Sequence, residues 1–451
     1  MLKNQKTFVI GCLLVQIFGF PIIAYAQEET AVIADQSKPE EVWNAKFQST
    51  YIGQKKPSFD APYTGSNSLR ADAARAYSFS ATAYFGYRPW QGGELYLDPE
   101  VIQSVPFSNL HGLGGLSNSE QLKTSGSDPT FYLARLYLKQ TFGFGHGSDT
   151  VESDENQLAG MNDKRRLVIT LGKLSVIDIF ENNAYGHDAR TQFTNGAFAT
   201  HGSFDYAADA RGYTLGAAAE YYYDNWAVRA GRFEEPLESN GLPLDHNILK
   251  HYGDQLEVEH SHSIDDQAGK VRLLAFHNQA VMGSFADAIT YANIHGGVPD
   301  VANVRKENSK IGYGISLEQN LGSDVGVFAR VNWADGKTET YSFTEIENSM
   351  SIGAIVKGAR WGRGQDTVGL AVAQNGLNKT HREYLKAGGL GAFIGDGQLN
   401  YRPERIAEVY YNIGLCKNAW LAFGLQNINN PAYNADRGPV NFGTVRLHTE
   451  F

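Results

Sequence analysis

The chain has little of what usually holds a soluble fold or anchors a helical membrane protein. It carries 2 cysteines in 451 residues. Cys12 falls in a segment that export would remove, so Cys416 would stand alone and no internal disulfide could form. Beyond the N-terminal segment, no apolar run approaches the ~18 residues of a spanning helix. Positive charge is not in excess: the formal net charge is −10, and losing Lys3 and Lys6 on export would make it −12. That balance argues against nucleic acid as a partner.

Recognisable chemistry is also missing. Gly112, Gly114 and Gly115 do not open a helix after a strand, so they form no phosphate loop. His246, His251, His260 and His262 lie close in sequence, but no cysteine or tight carboxylate set joins them into a metal centre. No nucleophile stands in a catalytic setting, and an enzyme is not read from this sequence. No cofactor is implied.

The N-terminus is organised for export. Lys3 and Lys6 precede an apolar run over residues 8–24, followed by the small-residue site Ala24-Tyr25-Ala26. Residues 1–26 read as a signal peptide. The stretch before Cys12 is too short for the apolar region of a lipoprotein signal, which is ~7–15 residues. Residues 27–42 form a short acidic segment, and residues 43–451 form the body of the protein.

That body repeats one unit, an alternation of apolar and polar residues close to the ~9–11 that let a tilted strand cross a bilayer. About sixteen units can be placed, near residues 43–51, 77–87, 94–102, 132–139, 166–174, 211–223, 226–233 and 254–262, then 269–279, 310–320, 325–333, 349–358, 366–374, 404–415, 418–427 and 440–451. In the second, Tyr77, Phe79, Ala81, Ala83 and Phe85 share one face while Ser78, Ser80 and Thr82 take the other. In the fourth, Tyr132, Ala134, Leu136 and Leu138 are expected to face lipid, placing Arg135 and Lys139 in the lumen. Arg229, Arg272, Arg330, Lys357, Glu408 and Arg446 also keep to single faces. A lipid-facing charge at the midplane costs ~2–4 kcal/mol, so this confinement orients the strands.

The links alternate in length. Asp224-Asn225, residues 263–268, residues 321–324 and Cys416-Lys417 are tight turns, whereas residues 175–210, 280–309 and 375–403 are long. Short periplasmic turns and long external loops are the mark of an all-β outer-membrane barrel. One link breaks the rule: residues 143–164 should be a short turn but are long and acidic. Either it is a true periplasmic excursion, or the strand count is off by a hairpin there. The last strand carries Val445, Leu447 and Phe451 on one face. This resembles the C-terminal strand by which the barrel-insertion machinery recognises its clients. Trp43, Trp90, Trp226 and Trp333 are expected in the interfacial girdles against outer-membrane lipids.

About sixteen strands enclose an aqueous channel, which something must narrow. The third long loop, residues 175–210, is the candidate, being rich in amides, carboxylates and aromatics. That mixture suits a neutral, hydroxyl-rich solute; a phosphate channel would need a ladder of Arg and Lys. Lumen charges of both signs, with Arg135, Lys139 and Arg229 among them, would set a transverse field along the path.

The run LVITLGKLSVIDIFENNAYGHDARTQFTNGAFATHGSFDYAADARGYTLGAAAEYY (residues 167–222) resembles the carbohydrate-selective porin family of the OprB type. So do KPSFDAPYTGSNSL (56–69), GELYLDPEVIQ (93–103), LGGLSNSE (113–120) and WAVRAGRFEEP (226–236). The resemblance implies a sixteen-stranded outer-membrane barrel with its third loop folded inward, passing small sugars such as glucose into the periplasm by passive diffusion. It also implies a place near the constriction for Asp178, Glu181, Asn182 and Asn183. A general or ion-preferring porin is the alternative; a plugged structural or adhesive barrel is a further one. Every strand is apolar outward, so no single patch marks a homotrimer, and the oligomeric state stays open.

Overall fold

The computed structural model describes residues 40–451 apart from Thr124 and Ser125. The signal peptide expected over residues 1–26 and most of the acidic segment lie outside the described residues. Sixteen strands close into one antiparallel barrel. They are β1 (Trp43–Lys56), β2 (Ala74–Trp90), β3 (Gly93–Val105) and β4 (Thr130–Gly143), then β7 (Arg166–Leu174) through β18 (Val440–Glu450). A separate two-stranded hairpin, β5 (Ser148–Val151) and β6 (Gly160–Asp163), interrupts the series. The later strands are β8 (Thr214–Tyr223), β9 (Trp226–Glu234), β10 (Tyr252–Ile264), β11 (Gln267–Met282), β12 (Lys306–Asn320) and β13 (Val325–Ala334). They continue as β14 (Asn348–Lys357), β15 (Thr367–Gly376), β16 (Glu404–Cys416) and β17 (Ala419–Asn429).

Each barrel strand pairs with its sequence neighbours, except that β4 pairs directly with β7 and β1 with β18. Closure leaves no open strand edge, as hydrocarbon surroundings require. At one rim the links are short, such as residues 224–225 and 265–266. Asp265 and Asp266 both take positive φ, 50° and 60°, the backbone of a turn whose twist matches the flanking strands. At the other rim run residues 57–73 (L1), 106–129 (L2), 175–213 (L3), 235–251 (L4), 283–305 (L5), 335–347 (L6), 377–403 (L7) and 430–439 (L8). L5 holds helix α1 (Phe285–His295) and L7 holds helix α2 (Lys379–Lys386).

The outer face is apolar: Leu273, Ile315, Ile352, Leu370 and Leu425 stand exposed toward lipid. Ser78, Ser80, Thr82, Arg229, Arg272, Arg330, Glu408 and Arg446 are buried on the inner side. Lys357 lies exposed at the end of β14.

Tyr132 corrects the alternation read from sequence. The register between β3 and β4 slips at Asp98/Pro99, so Asp98 faces Arg135 while Pro99 faces Leu133, leaving Ala134 as the extra residue of a bulge. The parity reverses above it, and the Tyr132 hydroxyl donates to Glu100 inside the lumen rather than meeting lipid. Below the bulge, Arg135 and Lys139 point inward as expected, and Leu136 points out.

The excursion at residues 144–165 is a genuine hairpin that adds nothing to the barrel count.

Candidate functional site

L3 does not stay at the rim. It leaves β7 through a short turn in which Ser175 and Asp178 cap each other, and then runs across the lumen. Wall residues hold it at many points. Arg330 of β13 meets the Glu181 carboxylate at 2.9 Å and donates to the carbonyls of Phe198 (2.9 Å) and Gly186. Burial alone would raise the Glu181 carboxyl, but Arg330 and His201 beside it hold it down at about 2. Arg446 of β18 donates to the carbonyls of Ala189 (3.0 Å), Thr191 (2.7 Å) and Gln192 (2.5 Å). Glu408 of β16 accepts the N–H groups of Thr194 (2.7 Å) and Asn195 (3.0 Å).

Apolar packing completes the docking. Phe193 of L3 lies 5.3 Å from Phe198, 5.9 Å from Phe328 and 5.2 Å from Tyr410, ring to ring. Close approach needs bare backbone in the wall. A Cβ at Gly326 would fall 2.0 Å from the Tyr185 ring, and one at Gly314 would fall 2.6 Å from the His201 ring. Burial pushes the His201 imidazole down to about 4. L2 is held in the same way, with Gly114 and Gly115 donating to Glu404 at 3.0 and 3.1 Å. Here the L2 glycines serve docking.

L3 therefore fills the side of the lumen bounded by β13–β18. What remains open is a cavity of about 940 Å³ between L3, L2 and the wall of β4 and β7–β11. Most of its cationic side chains are paired with carboxylates, while Arg166 and Arg211 lie over the rings of Tyr222 and Tyr132. Arg135 grips both oxygens of Asp178 at 2.7 Å and reaches Asp98 at 3.3 Å. Lys139 meets Glu94 at 2.5 Å. Arg190 sits between Glu100 (2.7 Å) and Glu120 (2.9 Å). Arg229 is shared by Glu257 (2.7 Å), Glu220 (3.1 Å) and Glu259 (3.3 Å). Arg272 bridges Glu259 (2.7 Å) and Glu318 (2.9 Å). Tyr137, Tyr206, Tyr213 and Tyr222 stand among them at the cavity. Such a wall offers many donors and acceptors with little net charge, which favours neutral polyols over ions.

The residues expected at the constriction divide into two sets. Asp178, Asn182, Arg135, Lys139 and Arg229 border the cavity. Glu181 and Asn183 do not; they are 0% and 1% exposed and face the wall. Asn183 donates to Ser316 of β12 at 3.2 Å and receives the Tyr185 N–H at 2.9 Å. The sequence reading passed over Glu120 and Lys123 of L2, and Glu155 in the hairpin, all of which line the cavity. Nothing in their local sequence marks them as lumenal, since each is delivered by a loop folded inward.

A closed sixteen-stranded barrel with a polar lumen narrowed by an inserted loop defines an outer-membrane diffusion channel. The sequence matches the carbohydrate-selective porin, OprB family, over residues 76–451, and the chain belongs to that family. It is thus a sugar-selective porin of the outer membrane. Among solved structures, OprB of Pseudomonas putida at high pH is similar over 91% of this chain and 94% of that one, with a TM-score of 0.68 and 18% identity. The outer membrane channel DcaP of Acinetobacter baumannii is similar over 93% of this chain and 100% of that one, with a TM-score of 0.50 and 9% identity. At these identities the likeness is one of fold. No curated protein matches the sequence.

Proposed function

We propose that small sugars of glucose size cross this barrel between L3 and the wall of β4 and β7–β11. Asp178, Asn182, Arg135, Lys139 and Arg229 serve as successive hydrogen-bonding partners for hydroxyl groups. The observation that carries this reading is the pairing of Arg135, Lys139 and Arg229 along the cavity wall with carboxylates. A paired wall exchanges hydrogen bonds with a polyol but gives a free ion no compensation for shedding water. Glu181 and Asn183 act at one remove, by holding L3 in place. Movement is passive, and no covalent step is involved.

The apolar belt is the surface for outer-membrane lipids, and the final strand is the one offered to the insertion machinery. A homotrimer would cover part of that belt, and light scattering of the detergent-solubilised barrel separates it from a monomer.

The test is solute uptake by liposomes carrying the refolded barrel, comparing glucose, a disaccharide and a charged amino acid close to glucose in size. Faster uptake of glucose than of the amino acid is the expected result. Uptake ordered by size alone would make the channel a general porin, and no uptake would mean a plugged barrel.

A further inference from the structure

At the short-turn rim, where β8–β9 and β10–β11 are joined by two residues, β4 and β7 are joined by residues 144–165. A short join would suffice, because Gly143 and Arg166 are already cross-strand partners. Instead the hairpin β5–β6 turns its connecting residues back into the barrel mouth. Asp154 and Gln157 exchange backbone hydrogen bonds at 3.0 and 3.2 Å, which places Glu155 and Asn156 at the apex. Asn156 takes the positive φ of 55° that this tight reversal needs.

The apex is fixed to three strands from inside. Asn44 of β1 donates to Ser153 (3.1 Å) and to the Gln157 carbonyl (3.0 Å), and Gln48 donates to Glu155 at 2.6 Å. Asn156 donates to Asp98 of β3 at 2.9 Å. The Leu158 N–H donates to the Tyr96 hydroxyl at 3.2 Å, and its side chain, 2% exposed, packs in one cluster with Tyr96 and Tyr137 of β4. Asp154, Glu155, Asn156 and Gln157 then border the same cavity as L3.

We propose that this apex is a second filter, separate from L3, which sets the size limit for solutes at the periplasmic end of the path. A size filter has to be rigid, and the Leu158 anchor and the contacts to β1 and β3 make it so. Its cavity-facing groups are the amides of Asn156 and Gln157 and the carboxyls of Asp154 and Glu155, which exchange hydrogen bonds with a passing sugar without trapping it. L3 sorts solutes by hydrogen bonding and charge; the apex sorts them by width.

The experiment replaces residues 144–165 with an Asn-Gly turn and records single-channel conductance together with glucose and disaccharide uptake. Conductance is expected to rise at least two-fold and the disaccharide-to-glucose ratio several-fold, with the preference for glucose over a charged amino acid retained. Heat-modifiable gel mobility reports whether the barrel has closed. Wild-type conductance and disaccharide exclusion in a closed barrel would overturn the proposal. Should the shortened chain fail to close, the double variant Glu155→Gly/Gln157→Gly trims the apex and keeps the Leu158 anchor. A smaller rise in the same direction supports the filter, and no change refutes it. A wider exclusion limit in a wild-type channel that shows no preference for glucose over the amino acid would leave this filter standing while removing the sugar path along L3.

Discussion

The Glu181 carboxylate and the Arg330 guanidinium lie 2.9 Å apart, and neither reaches solvent. Arg330→Met would leave that carboxylate buried without its partner, at a cost of ~3–5 kcal/mol to L3 docking. We expect larger, noisier single-channel currents and earlier loss of heat-resistant gel mobility. Adding Glu181→Gln should restore part of both. The Glu181 carboxyl is held at about 2, below its ordinary 4.5, so its contribution is complete above 4.5 and fades only as pH falls toward 2. Quiet currents should therefore hold down to about pH 4.5 and grow noisier as pH falls toward 2.

Asp178 is the L3 carboxylate that Arg135 grips at the edge of the cavity. Asp178→Asn leaves Arg135 with Asp98 at 3.3 Å as its remaining anionic partner. The path then gains positive charge, and anion preference should rise by about ten-fold, read from the reversal potential in a salt gradient. Glucose uptake should fall while barrel stability stays near wild type. Unchanged selectivity would place the solute path elsewhere.

The hold on the hairpin apex should weaken with rising pH. Burial first, and then Asp188 of L3 and Glu450 of β18, push the Glu155 carboxyl up to about 7; Arg190 opposes them and Asp154 adds to them. Gln48, itself bonded to Tyr84 of β2, is the neutral partner. A raised carboxyl favours the inserted apex when protonated, so that stability is complete below 4.5 and lost as pH rises through about 7. Conductance should climb from about pH 5 to pH 7, level off above it, and be flat in Glu155→Gln.

Cys416 closes β16 and is exposed at the rim of short turns. A membrane-impermeant maleimide should label it only after the outer membrane is permeabilised. Labelling in intact cells would invert the assigned orientation.

Strand number, order and facing were largely legible, because a bilayer imposes a period of two on every residue that crosses it. The segment read over residues 166–174 coincides with β7. Tyr132 escaped because a bulge leaves no mark in an apolar–polar count. The site was legible by residue type and less so by orientation. Asp178 and Glu181 are both L3 carboxylates next to apolar neighbours, yet one borders the cavity and the other faces the wall. The difference lies in Arg330, 149 residues away, which takes Glu181 to the wall. The hairpin apex escaped for a related reason: its strands are 4 residues each, too short for alternation to declare them.

The pairing of β1 with β18 has a kinetic side. Thr50 and His448, 398 positions apart in sequence, meet across that seam. Closing a loop of that length costs about 5 kcal/mol of chain entropy before any contact forms. Every other barrel pair joins barrel strands that follow one another in sequence, so on contact order the seam is expected to form last. Until it does, two strand edges stand open, and the growing sheet is at its most prone to stick to another copy.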